Sequence, residues 1–100
     1  MNLKDEQRLA AAVTGIHWHA HKDGYVYNPP KGCGPPERSI EIWAPNEDAV
    51  QYKALIRFVV ENRFKLAVSS NHELSVHYRI FDAIETDDIE ALKELALDLV

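Results

Sequence analysis

Ile16-His17-Trp18-His19-Ala20-His21 alternates an apolar residue with an imidazole through six positions, and Lys22-Asp23-Gly24 follows. In an extended chain successive side chains point to opposite faces. Ile16, Trp18 and Ala20 then share one face, and His17, His19 and His21 the other. Asp-Gly between alternating segments signals a hairpin, because both central residues of the tight two-residue turn need positive φ. Tyr25-Val26-Tyr27 supplies the return strand. A rival reading continues the preceding helix through residue 21 and sets His17 and His21 at i,i+4. Gly15, the β-branched pair Val13-Thr14 and the Asp-Gly turn oppose it.

Upstream, residues 3–13 read as a helix. Asn2 can cap it, Asp5 and Glu6 lie in its first turns, and Gly15 can stop it in the left-handed conformation. Downstream, residues 28–38 hold four of the five prolines and two of the four glycines, and predict a long loop. Residues 39–44 alternate again, with Ile40, Ile42 and Ala44 on one face and Glu41 and Trp43 on the other. Pro45 ends that strand, and Asn46 is placed to cap a helix over 47–63 that is apolar around more than half of its circumference. Residues 65–69 and 73–81 read as a second hairpin turning at Ser70-Asn71-His72, with Leu74, Val76, Tyr78 and Ile80 alternating against Ser75, His77, Arg79 and Phe81. A last helix over 87–99, capped by Thr86 or Asp87, carries Ile89, Leu92, Leu95, Ala96 and Leu99 on one stripe and Asp87, Glu90, Glu94 and Asp98 opposite. The expected order is α-β-β-β-α-β-β-α. That is a single α+β domain over residues 1–100, with a largely antiparallel sheet and its helices packed on one face.

The net charge of −5 is unevenly placed. Residues 82–100 carry seven carboxylates against one lysine, a net −6, and the other 81 residues carry ten basic and nine acidic groups, a net +1. A neutral body with an acidic end argues against a general nucleic-acid binder. No apolar run approaches the ~18 residues that span a bilayer. Met1-Asn2-Leu3-Lys4-Asp5-Glu6 lacks the basic region and apolar block of a signal peptide. The single cysteine, Cys33, excludes an internal disulfide. These features predict a cytoplasmic protein.

The histidine strand is the first candidate site. Alternate strand residues stand about 6.5–7 Å apart on one face, a spacing from which two imidazoles can converge on one ion. Zinc needs three or four ligands, and His77 and Glu41 are the candidates to complete a set with His17, His19 and His21. The competing reading is a solvent-facing row of polar side chains. The stretch superficially resembles the metal motifs of metallo-β-lactamase-like and JAMM-type hydrolases. It departs from both, since Lys22 precedes Asp23 and no proline follows the second histidine. Neither activity is carried over. Cys33, between two glycines beside Lys31, reads as an accessible loop thiol rather than a nucleophile, with no orienting residue nearby in sequence. Lys53, Arg57, Arg63 and Arg79 with Trp43, Tyr25 and Tyr27 are the residues a single-stranded nucleic acid would use.

The acidic last helix is the other candidate. Asp87, Glu90, Glu94 and Asp98 make either a solvated face or a surface for a protein with a basic groove. With no complete catalytic constellation and no cofactor loop, the expectation is a small intracellular accessory or regulatory protein that acts by protein–protein binding. One form is a phage- or mobile-element-type inhibitor of a nucleic-acid-processing enzyme. Asp87, Glu90, Glu94, Asp98, Trp43, Tyr25 and Tyr27 are the expected partner-binding residues. The alternative is a zinc-binding protein or small metal-dependent hydrolase using His17, His19 and His21.

Overall fold

A computed structural model of the chain describes residues 2–28, 41–70 and 73–100, the side chains at 69, 70, 73 and 74 excepted. These residues form five helices and a three-stranded antiparallel sheet, an α+β arrangement. The loop expected over 28–38, with Lys31 and Cys33, lies outside the described residues from 29 onward. So do Ser39 and Ile40 of the third strand and Asn71 and His72 of the second turn.

Helix α1 (Leu3–Thr14) begins and ends where its capping residues demand. The Asn2 side chain accepts the Asp5 N–H at 2.9 Å. Gly15 at φ 72° donates its N–H to the Ala11 carbonyl, an αL stop that a side chain at this position would strain. Leu9 and Ala10 are fully buried. The chain then turns into β1 (His19–Ala20), which pairs with β2 (Val26–Asn28), which pairs with β3 (Glu41–Ile42). The helical alternative through residue 21 is thereby excluded. The turn between β1 and β2 departs from the two-residue form. Only Gly24 has positive φ, at 95°, and Gly24 N–H donates to the His21 carbonyl while His21 N–H donates to that of Tyr25. Lys22, Asp23 and Gly24 thus make a three-residue loop closed by a left-handed glycine.

Register assigns the faces. His19 pairs with Tyr27 and Tyr27 with Ile42, so these three share the outer row. Val26, Trp18 and Trp43 lie on the inner face and are buried. The two indoles meet edge to face, with centroids 5.9 Å apart. Each indole N–H is satisfied: Trp18 Nε1 donates to Thr14 Oγ1 at 2.7 Å and Trp43 Nε1 to Glu6 Oε2 at 3.0 Å. Of the apolar face expected for the first strand only Trp18 is buried, since Ile16 and Ala20 remain exposed.

Pro45 opens a turn in which the N–H groups of Glu47 and Asp48 both donate to the Ala44 carbonyl. Asp48, not Asn46, caps α2 (Ala49–Glu61), its carboxylate accepting from the N–H groups of Val50 and Gln51. Gln51 is buried and clamps the end of β3. Its Oε1 accepts the Ala44 N–H at 2.6 Å and its Nε2 donates to the Ile42 carbonyl at 2.8 Å. Leu55 and Val59 are fully buried, and α2 packs against α1 and α5.

The second hairpin is not formed. Residues 63–70 and 73–85 are instead helices, α3 (Arg63–Ser70) and α4 (Glu73–Glu85), packed against each other. The stretch 73–81 fits both periods. As a strand it buries Leu74, Val76, Tyr78 and Ile80. As a helix it buries Val76, Ile80 and Ala83, at i, i+4 and i+7, which is the observed set. A strand at 73–81 would leave Ala83 out of that apolar row. Helix α5 (Ile89–Leu97) follows, shorter at both ends than expected and capped by Asp88, whose side chain accepts the Ala91 N–H. It buries Leu92, Leu95 and Ala96 against α1, α2 and α4. The observed order is therefore α-β-β-β-α-α-α-α.

Candidate functional site

The C-terminal end of α4 and the solvent side of α5 form one acidic surface. Asp82, Glu85, Asp87, Asp88, Glu90, Glu94 and Asp98 are all exposed. The only lysine of this segment, Lys93, is 8% exposed and turned inward. Its ammonium lies 2.8 Å from Glu6 Oε1 on α1 and 3.7 Å from Glu90 Oε1. Glu6 also accepts the Trp43 indole N–H through its other oxygen. The one charge of this segment able to offset the acidic face is thus engaged in the core. Among the described residues, Glu90–Lys93 is the only ion pair that any of the seven carboxylates makes. Sequence reasoning missed this role for Lys93. The signal was its spacing, four residues after Ile89 and three before Ala96, on the buried stripe, where a lysine implies a buried anion.

Asp87 occupies an unusual backbone position. Its φ is 53°, the left-handed region that aspartate tolerates better than most side chains. The Asp87 N–H donates to the Ile84 carbonyl and the Asp88 N–H to that of Ala83, the pattern of a Schellman stop, so Asp87 terminates α4 rather than capping α5. The Tyr52 hydroxyl on α2 donates to Asp87 Oδ1 at 2.7 Å. That hydrogen bond to a carboxylate, with burial and the carboxylate charge adding to it, raises the phenol above its ordinary value of 10.0.

The outer face of the sheet collects imidazoles and phenols. His17 and His19 meet edge to face with ring centroids 4.6 Å apart. His21 stacks on Tyr25 at 4.4 Å, and Tyr27 lies 5.9 Å from both His19 and His21. His21 Nδ1 lies 3.1 Å from the Asp23 backbone nitrogen and 3.4 Å from Asp23 Oδ2. Neither of the residues expected to complete a metal site joins this face. His77 is on α4, its ring against Phe64, because the expected strand is a helix. Glu41 pairs with Asn28, one residue out of phase with the His19–Tyr27–Ile42 row, and its carboxylate lies 3.4 Å from Gln51 Nε2 on the helical side. Among the described residues no group of three or more His, Cys, Asp and Glu side chains is placed to hold a metal ion.

Of the residues expected to face a partner, Asp87, Glu90, Glu94 and Asp98 are exposed, and Tyr25 and Tyr27 are half-buried. Trp43 is a core residue, because alternation from Ile42 turns it toward α1. It is therefore removed from any aromatic-basic face with Lys53 and Arg57, which line a shallow groove along α2 with Ile56, Val60 and Glu61. Arg63 donates to the Val60 carbonyl and lies over the Phe64 ring. No helix of the described residues is long and apolar enough to cross a membrane. Comparison of the chain with protein-family models, curated proteins and solved structures finds no match.

Proposed function

We propose that the protein is an accessory or regulatory protein that acts by binding another protein, and that the acidic surface of α4 and α5 meets a basic surface on that partner. Its specific form is an inhibitor of a nucleic-acid-processing enzyme, of the kind phages and mobile elements carry, which occupies a cationic channel. The observation that supports this reading is the inward placement of Lys93. A solvated amphipathic helix ordinarily interleaves both signs of charge, whereas here the one cation is engaged by Glu6 and the outer face is left to carboxylates. Such a face steers association with a cationic partner and makes the rate fall with salt.

The test is affinity capture from the native cell followed by charge reversal. Glu94 and Asp98 are exposed and make no ion pair among the described residues, so Glu94→Lys with Asp98→Lys leaves the Lys93–Glu6 pair and the core intact. The double variant is expected to bind the captured partner roughly tenfold or more weakly, chiefly through slower association. Its thermal midpoint stays near that of the wild type. Binding that survives the double change and ignores ionic strength refutes the proposal.

A further inference from the structure

Four large apolar side chains stand in solvent on the α3–α4 hairpin: Phe64 (59% exposed), Val68 (74%), Tyr78 (80%) and Phe81 (59%). They form one patch. Phe64 and Val68 lie one turn apart on α3, and Tyr78 and Phe81 one turn apart on α4. His77 joins the two helices, its ring edge-on to Phe64 with centroids 5.7 Å apart. His77, Tyr78 and Phe81 line a shallow groove of about 330 Å³ that runs on to Asp82 and Glu85. The four side chains expose on the order of 500 Å² together, in the upper range for the largest apolar patch of a monomer.

We propose that this face is covered by a second copy of the chain, in an antiparallel two-fold dimer through α4. The placement of charge on α4 selects that occupant. Arg79 follows Tyr78 and Asp82 follows Phe81, so a cation and a carboxylate flank the two rings on the same side of the helix. Both are exposed, and neither makes an ion pair among the described residues. A two-fold axis crossing α4 at the level of residue 80 brings Tyr78 alongside Phe81 of the other copy. The same rotation brings Arg79 alongside Asp82, and symmetry makes each contact twice. A parallel two-fold would instead put the Arg79–Asp82 flank of each copy on opposite sides of the seam, where neither charge meets its counter-charge. Phe64 and Val68 extend the apolar contact onto α3, so two hairpins form a four-helix arrangement. The interface falls near the lower end of the standard size of about 800 Å² per partner, and the expected dissociation constant is on the order of micromolar. The interface takes Asp82 and Glu85 from the edge of the acidic surface but nothing from α5, so charge reversal on α5 leaves the dimer unchanged and either reading can fail alone.

Sedimentation velocity on the full chain, over a concentration series spanning roughly nanomolar to hundreds of micromolar, tests it. The expected result is a reversible monomer–dimer equilibrium. Tyr78→Ser, at a side chain 80% exposed, is expected to weaken it by roughly tenfold or more with an unchanged circular dichroism spectrum. Arg79→Asp and Asp82→Arg are each expected to shift the protein to monomer. An equimolar mixture of the two variants is expected to form a heterodimer, because position 79 of each copy then again faces the opposite charge at position 82 of the other. A wild-type chain that stays monomeric throughout overturns the proposal, whether or not a different protein binds the patch. A dimer unmoved by Tyr78→Ser and by both charge reversals overturns it as well.

Discussion

Lys93 holds α1 to α5 through one carboxylate that serves two donors. Glu6 takes the ammonium on one oxygen and the Trp43 indole N–H on the other, so three elements meet at a half-buried ion. Pairs of this kind give little net stability over an apolar substitute, but removing one partner strands the other. Lys93→Met is expected to cost about 2–4 kcal/mol by urea denaturation, because Glu6 keeps its charge with only the indole to answer it. Adding Glu6→Gln is expected to recover part of that loss, since glutamine still accepts from Trp43 and carries no charge. An additive double variant would show that the pair does not couple the helices.

At the scale of elements, the α4–α5 junction is a stop and a start on adjacent residues. Asp87 ends α4 in the left-handed region and Asp88 caps α5. The Tyr52 hydroxyl fixes Asp87 from α2. Loss of that hydrogen bond in Tyr52→Phe is expected to cost about 1 kcal/mol near neutral pH. The pH dependence follows from the raised phenol. The unfolded chain loses the proton near 10.0 and the folded chain only above it. The contribution is therefore complete below pH 10.0 and is lost as pH rises through the higher folded value. Thermal or urea midpoints of wild type and Tyr52→Phe should differ at neutral pH and converge in alkali. A gap that stays constant through that range would detach the hydroxyl from Asp87.

Across the whole molecule, α2 is the helix against which the other four pack, and only its outer stripe is left in solvent. Leu55 is fully buried while Val50, near the first turn, is 78% exposed. Leu55→Ala is expected to cost about 2–5 kcal/mol and Val50→Ala to change stability by no more than about 0.5, measured by the same denaturation curve. The apolar composition of this helix implied burial on more than one side. The structure buries Gln51, Leu55 and Val59, half-buries Ile56, Phe58 and Val60, and leaves Val50 in solvent.

Local chemistry carried the N-terminal half. The Asn2 cap, the Gly15 stop, the alternation through Trp18 and the glycine at position 24 are each satisfied within a few residues, so the helix and the first hairpin are legible from the chain alone. The acidic surface was legible too, since charge needs no partner to be exposed. Residues 65–81 were not, because their apolar positions satisfy a period of 2 and a period of 3.6 together, and only packing of Val76, Ile80 and Ala83 into the core chooses between them. Tertiary structure likewise decided that Trp43 turns inward, that His77 and Glu41 stand away from the imidazole face, and that Lys93 points to Glu6. Each of these depends on contacts between residues distant in sequence, which set the direction of a side chain that local periodicity leaves free.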